Sequence, residues 1–398
     1  MLHRFAFTNF QSFRQRTELD LRLNGKVPPI PWTANDQGER VSLLSAVIGP
    51  NASGKTTLLK PLVFAQWFLS HSFHLSPSAE IGIRPHFAAE GEPTELELEA
   101  SDGAGRHWRY ELSFEPQRVL REALFLRKPD TRQFGYVFLR QWDAQAGEYQ
   151  VKQQGFGLKP SEAKKARANT SLISTAAQYG VPLAQDLARV SLLSNIAAVG
   201  RLEFDAMKDL PMAAEHFALN PAQRVRMAQL LKAWDLGLSD VELRELSHQQ
   251  GDGKVEKFWF PYGLHADSKG GTHILPFLDE SSGTQSAFVL LSRLLPVLAN
   301  GGIAVIDEFE NDLHPLMLEA ILDLFAHPET NPHRAQLLFT CHAMEVLNLL
   351  HKSQVVLVEK DQACESSAWR LDEVRGIRTD DNFYAKYMAG AYGGVPQL

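Results

Sequence analysis

Gly49-Pro50-Asn51-Ala52-Ser53-Gly54-Lys55-Thr56 stands between an apolar run, residues 43–48, and a long apolar-rich stretch, Thr57 to Phe73. It satisfies the pattern G-x-x-x-x-G-K-[ST] at every fixed position, and its flanks predict a buried strand before it and a helix after it. The pattern has a physical reason. Glycines let the backbone curl closely around phosphate groups with its N–H groups pointing inward, and the helix start adds the positive end of its dipole. The lysine reaches the β- and γ-phosphates, and the threonine hydroxyl that follows it ligates Mg²⁺. Candidate ATP ligands are therefore Gly49, Asn51, Gly54, Lys55, Thr56 and Thr57, with Thr56 also a candidate Mg²⁺ ligand.

Far along the chain, Ile303-Ala304-Val305-Ile306-Asp307-Glu308 sets two acids after four apolar residues. A buried strand ending this way delivers both carboxylates to the C-terminal edge of a parallel sheet, where ligands bind. Asp307 is the candidate Mg²⁺ holder, through water, and Glu308 the candidate general base for an attacking water. Ser281-Ser282-Gly283-Thr284-Gln285 precedes a helix expected over Ser286 to Leu298. Serine and glycine suit a plain helix cap, and such a helix start also favours an anion. His342 follows the apolar strand Leu337-Leu338-Phe339-Thr340.

The rest of the chain fills in the organisation. Residues 2–22 read as two short strands, 23–40 as loop, and 94–140 as a β-meander, with Leu96, Leu98, Tyr110 and Leu112 alternating with polar neighbours. Residues 157–248 turn helical, with apolar residues three and four apart over Leu183 to Val199 and Pro221 to Trp234, and Ser239 to Glu242 opening a further segment. After an aromatic strand at 255–264, helices are expected at Leu316 to Phe325 and Met344 to Leu350, and Val355 to Val358 as the last strand of the sheet. This alternation implies a parallel sheet. The fold class is α/β, a P-loop nucleotide-binding domain split into N- and C-terminal lobes with a β-meander and a helical insertion. The boundaries expected are 1–150, 151–254 and 255–398.

The 398 residues carry a net charge of −7, with 44% hydrophobic and 22% charged residues, an ordinary globular balance that gives no overall pull toward nucleic acid. Cys341 and Cys364 are too few for a disulfide framework or a zinc site. Met1 to Asp20 lacks the apolar core of a signal peptide, and no stretch reaches the roughly 18 apolar residues of a membrane helix. A cytoplasmic protein with no membrane contact is expected. Two basic stretches, Arg118, Arg121, Arg127, Lys128 and Arg132, and Lys159, Lys164, Lys165 and Arg167, read as solvated faces or as a DNA or partner surface.

Taken together, Phe10-Gln11-Ser12-Phe13-Arg14, Gly49 to Thr56, Ser281 to Gln285, Asp307-Glu308 with Leu313-His314-Pro315, and His342 resemble the ABC-class ATPases related to RecF and to the overcoming-lysogenization-defect proteins. In type the chain is most similar to standalone AAA-family ATPases of bacterial anti-phage and abortive-infection systems, PARIS-type systems included. The likeness covers both lobes and implies an ABC-type fold. It implies that Ser281, Ser282 and Gly283 form the signature that binds the γ-phosphate held by another subunit. Ser281 stands where leucine is usual and Thr284 where a second glycine is usual. It also implies that His342 is the switch histidine, acting with Glu308 in catalysis, and that Asn311 to Pro315 form the loop where subunits touch. Gln117 is its candidate Q-loop glutamine.

The resemblance further implies a homodimer or higher oligomer sandwiching ATP, slow regulatory hydrolysis to ADP and phosphate, and control of a separately encoded effector, a nuclease or other toxin, by DNA or a phage-derived trigger. The nuclease domain that follows the ATPase in overcoming-lysogenization-defect proteins is not expected here, because 56 residues follow His342 (398 − 342). A RecF-type DNA-binding ATPase in DNA repair is the alternative. A transporter ATPase subunit ranks last, since a split nucleotide fold with an N-terminal strand pair does not suit it.

Overall fold

Leu44–Ile48, Ile303–Ile306 and Gln336–Thr340 carry few polar side chains because both faces of the strands they form are covered. The computed structural model describes residues 1–197, 200–234, 236–249, 255–311, 313–378 and 381–395. These strands belong to a six-stranded sheet in the spatial order Leu192–Ser194, Ile303–Ile306, Gln336–Thr340, Leu44–Ile48, Val355–Lys360 and Ser366–Arg370. The first five run parallel and the last is antiparallel. The strand before the phosphate loop is thus inserted between two strands from the far end of the chain. The phosphate loop, the Asp307-Glu308 pair and His342 all emerge at the same edge.

Alternate residues of each strand feed opposite cores, as the two-residue period requires. Ala46, Ile48, Ala304, Ile306, Leu337 and Phe339 join a core with the helices Ser282–Asn300, Ala206–Leu219 and Pro221–Ala233. Val47, Ile303, Val305, Leu338, Val356 and Val358 join the other, with the phosphate-loop helix Lys55–His71. Beyond that helix lies a seven-stranded antiparallel sheet in the order Glu148–Gln153, Phe134–Asp143, Arg118–Arg127, His107–Glu115, Thr94–Ser101, Leu2–Thr8 and Thr17–Asp20. Phe64 of the helix stacks on Phe114 of this sheet with ring centroids 5.3 Å apart. The buried Gln336 amide joins the two sheets, accepting from Leu2 N–H at 2.6 Å and donating to the Leu2 carbonyl at 2.8 Å.

Several segments differ from expectation for identifiable reasons. Residues 23–40 are not loop alone: Arg22–Leu23, Thr33–Asp36 and Glu39–Ser42 form a small antiparallel sheet. Its tight turn is Gln37-Gly38, both at positive φ (49° and 84°), a composition less recognisable than Asn-Gly. The helix expected over Leu183 to Val199 ends at Ala188, and Leu192–Ser194 becomes the edge strand beside Ile303–Val305. Short apolar runs read alike as buried strand or buried helix. Asp240–Gln249 is a strand paired with Val255–Ala266, and Met344–Asn348 is a 3₁₀ turn rather than an α-helix. The sheet does not end at Val355–Lys360, since Ser366–Arg370 pairs beyond it. Part of the basic surface serves internal contacts, while Lys128, Arg132, Lys159, Lys164 and Lys165 are exposed. Arg121 pairs with Glu111, Arg127 with Glu39, Arg118 lies over Trp142, and Arg167 donates to the Leu75 carbonyl.

One fully buried ion pair fastens the helical segment to the antiparallel sheet. Arg140 donates to the carbonyls of Thr170 and Arg167, both at 2.7 Å, and lies 3.4 Å from Glu122. Glu122 accepts from Ser171 Oγ at 2.7 Å, Leu172 N–H at 2.8 Å and Tyr110 Oη at 3.0 Å. Removing one partner strands the other charge without water. Arg140→Ala is therefore expected to cost about 3–5 kcal/mol, read as a lowered midpoint in urea unfolding.

Candidate functional site

The phosphate loop is shaped by what lies behind it. A side chain at Gly49 would place its Cβ 2.2 Å from the Val358 carbonyl oxygen. Gly54 adopts φ 111° and would place one 2.6 Å from Ser366 Oγ, so both positions need glycine. Ser366 Oγ donates to the Ser53 carbonyl at 2.7 Å and also contacts Ser12 Oγ at 2.8 Å. Ser12 is held there by a tight turn in which Phe10 and Phe13, both fully buried, exchange backbone hydrogen bonds of 2.8 and 3.0 Å. The N-terminal Phe-Gln-Ser-Phe motif thus supports the phosphate loop from below. Gln11, at its tip, accepts from Lys60 Nζ at 3.2 Å.

Asn51, Gly54, Lys55, Thr56, Thr57, Asp307, Glu308 and His342 line one cavity of about 240 Å³. Lys55 donates to the carbonyls of Gly49 and Pro50 at 3.0 and 2.9 Å. Burial lowers the pKa of its ammonium, while Asp307, Glu308 and Glu310 work to raise it. Thr56 donates to both carboxylate oxygens of Asp307, at 3.0 and 2.9 Å. Glu308 turns out of the strand at φ 49°, a left-handed conformation unusual for glutamate. Its Oε2 lies 2.6 Å from Arg201 Nη1. His342 is exposed at the cavity, and its backbone N–H donates to Glu310 Oε1 at 2.5 Å. Its neighbour Cys341 is buried, which pushes the thiol's pKa up.

Ser281, Ser282 and Gly283 are not among the residues lining this cavity. Ser281 caps the helix Ser282–Asn300, its Oγ accepting from Thr284 N–H at 3.2 Å, and Ser281 and Ser282 are both exposed. Gln117 sits on an exposed turn and donates to Glu80 at 3.2 Å, also outside the cavity. In the stretch beyond Glu308, Asn311 and His314 are exposed, and Asp312 lies outside the described residues.

Four residues at the site were not singled out in the sequence. Thr340 donates from its hydroxyl to Asp307 Oδ1 at 2.7 Å and accepts from Glu308 N–H at 2.7 Å. Asn195 grips the backbone of Asp307 twice, accepting from its N–H at 2.7 Å and donating to its carbonyl at 2.9 Å. Lys360 lines the cavity, and Arg201 pairs with Glu308. Thr340 was visible as the one polar residue closing an apolar strand. Asn195 and Arg201 were hidden, Asn195 inside a stretch with helical spacing and Arg201 just after it.

Residues 44–348 match the model of the family described as "AAA domain, putative AbiEii toxin, Type IV TA system". The chain belongs to this family. The AAA-domain chain is also similar to the SMC head domain from Thermotoga maritima, at 12% identity and a TM-score of 0.41 over 93% of this chain and 98% of that one. An Smc head domain with a coiled coil and joint derived from Pyrococcus yayanosii aligns at 10% identity and a TM-score of 0.47, over 98% and 99%. The recombination mediator RecF with ATP aligns at 11% identity and a TM-score of 0.35, over 85% and 93%. No curated protein matches the sequence. The fold of this AAA-domain chain is α/β, with the phosphate loop at the edge of the six-stranded sheet, and no helix among the described residues is long and apolar enough to cross a membrane.

Thr340→Val keeps the shape of the side chain and removes both hydrogen bonds at a fully buried position. The variant is expected to lose about 1–3 kcal/mol in chemical denaturation.

Proposed function

We propose that this chain binds Mg-ATP at the cavity and hydrolyses it slowly, and that this cycle controls a separately encoded toxic effector in a bacterial anti-phage system. The observation that carries the ATPase reading is the meeting of Lys55, Thr56, Asp307, Glu308 and His342 at one cavity on the edge of the parallel sheet. The loop amides and Lys55 would hold the β- and γ-phosphates. The oxygen donors of Thr56 and Asp307, already within 3.0 Å of each other, suit Mg²⁺, which favours hydroxyl, carboxylate and phosphate oxygens. Once bound, that ion would neutralise phosphate charge. Glu308 would accept a proton from the attacking water, and His342 would contact the γ-phosphate.

Ser281, Ser282 and Gly283 sit on an exposed helix start away from this cavity, which supports their use by a second copy, each copy offering its signature to the ATP of the other. The family's description as an AAA domain of a putative toxin in a type IV toxin–antitoxin system supports a toxin-linked setting for this reading.

Two variants separate binding from turnover. Lys55→Ala should abolish ATP binding in a fluorescent-nucleotide titration. Glu308→Gln should bind ATP as the parent does while its turnover falls about 10²- to 10⁴-fold; turnover at the parental rate would remove Glu308 as the base. Pull-down of the Glu308→Gln protein from its native host with ATP then tests the biological role. A co-purifying nuclease or other toxic protein supports the defence reading, and DNA without a protein partner favours a RecF-type role in repair.

A further inference from the structure

Arg201 closes a small hairpin in which Ile196 and Ala197 pair with Arg201 and Gly200. The hairpin grows directly from Asn195, whose amide grips the backbone of Asp307 on both sides. Ile196 is buried in the core that also holds the phosphate-loop helix. Arg201 is therefore mounted on the residues that frame the Asp307-Glu308 peptide, and its guanidinium reaches Glu308 Oε2 at 2.6 Å. A carboxylate oxygen engaged by a guanidinium is less available to take a proton from water.

We infer that Arg201 is a brake on hydrolysis, holding Glu308 away from the attacking water until assembly on ATP releases it. This rests on the reading of Glu308 as general base. Two observations support release rather than permanent locking. The pair is partly open to solvent, at 25% and 40% exposure of the two side chains, and such pairs are weak enough to be exchanged. The pair also borders a small cavity that it shares with Ser286 and Val289, which lie on the helix that begins at the signature. A second copy that engages Ser281 and Ser282 would press on that helix, and the shift would reach the pair directly. Arg201 does not touch the phosphates in this scheme; it acts through Glu308 and is a positioning residue.

The test is steady-state ATP turnover by the full chain, with the parent, Arg201→Ala, Arg201→Gln, Arg201→Lys and Glu308→Gln compared at matched concentration. Arg201→Ala and Arg201→Gln should raise kcat about two- to five-fold, the range of a partly exposed ion pair, with KM and the thermal midpoint unchanged. Arg201→Lys, which keeps the charge, should stay near the parental rate. Raising salt should lift the parent toward the Arg201→Ala rate and leave Arg201→Ala itself flat, because Arg201→Ala has no pair to screen. If both neutral variants turn over at or below the parental rate while Glu308→Gln is inactive, the brake is wrong and the base stands. If Glu308→Gln is fully active, the base itself is wrong and the brake falls with it.

Discussion

The carboxylate of Asp307 is where three distant parts of the chain are joined. Its oxygens accept from Thr56 in the N-terminal lobe and from Thr340 in the C-terminal lobe, and its backbone is held by Asn195 from the middle of the sequence. None of these bonds is strong alone, since a net hydrogen bond is worth about 0.5–1.5 kcal/mol, more when an ionised group takes part. Together they fix one carboxylate, nearly fully buried, in a place where each lost partner would leave a costly unsatisfied group. Everything the site does depends on that placement, because Glu308 follows Asp307 by one residue and takes its position from it.

Much of this was legible in the sequence. The phosphate loop has fixed glycines for reasons that the structure makes concrete, with the Val358 carbonyl behind Gly49 and Ser366 behind Gly54. The Asp307-Glu308 strand and the His342 strand were readable because uninterrupted runs of four and three apolar residues end in polar ones, and that is how a strand covered on both faces looks. What was not legible has one common cause. Leu192–Ser194, Asn195 and Arg201 owe their roles to neighbours more than a hundred residues away in sequence, and local periodicity carries no such information. The Gln37-Gly38 hairpin was missed for a different reason, a turn made with glutamine where asparagine is the usual signal.

The two basic stretches illustrate how tertiary structure separates charges that composition counts alike. Arg121, Arg127 and Arg167 contact Glu111, Glu39 and the Leu75 carbonyl, Lys128, Arg132, Lys159, Lys164 and Lys165 stay exposed, and Arg140, in no recognisable basic cluster, is fully buried with Glu122. Charge counted along a sequence is thus a poor guide to charge offered to a partner. The aromatic turn at Phe10 to Phe13 makes the converse point: its two rings are pure core, yet they set Ser12 against the loop that would hold phosphate.

The strand Leu44–Ile48 precedes both of its neighbours in the chain and cannot pair until Gln336–Thr340 and Val355–Lys360 exist. During synthesis, the phosphate loop therefore leaves the ribosome long before the sheet that supports it. The pocket cannot be assembled in stages from the N-terminus, because closing its sheet waits on contacts nearly three hundred residues apart. A chain that stops short of Val355–Lys360 would display the loop sequence but lack the framework that gives it shape, so the pocket takes form only once that strand has been made.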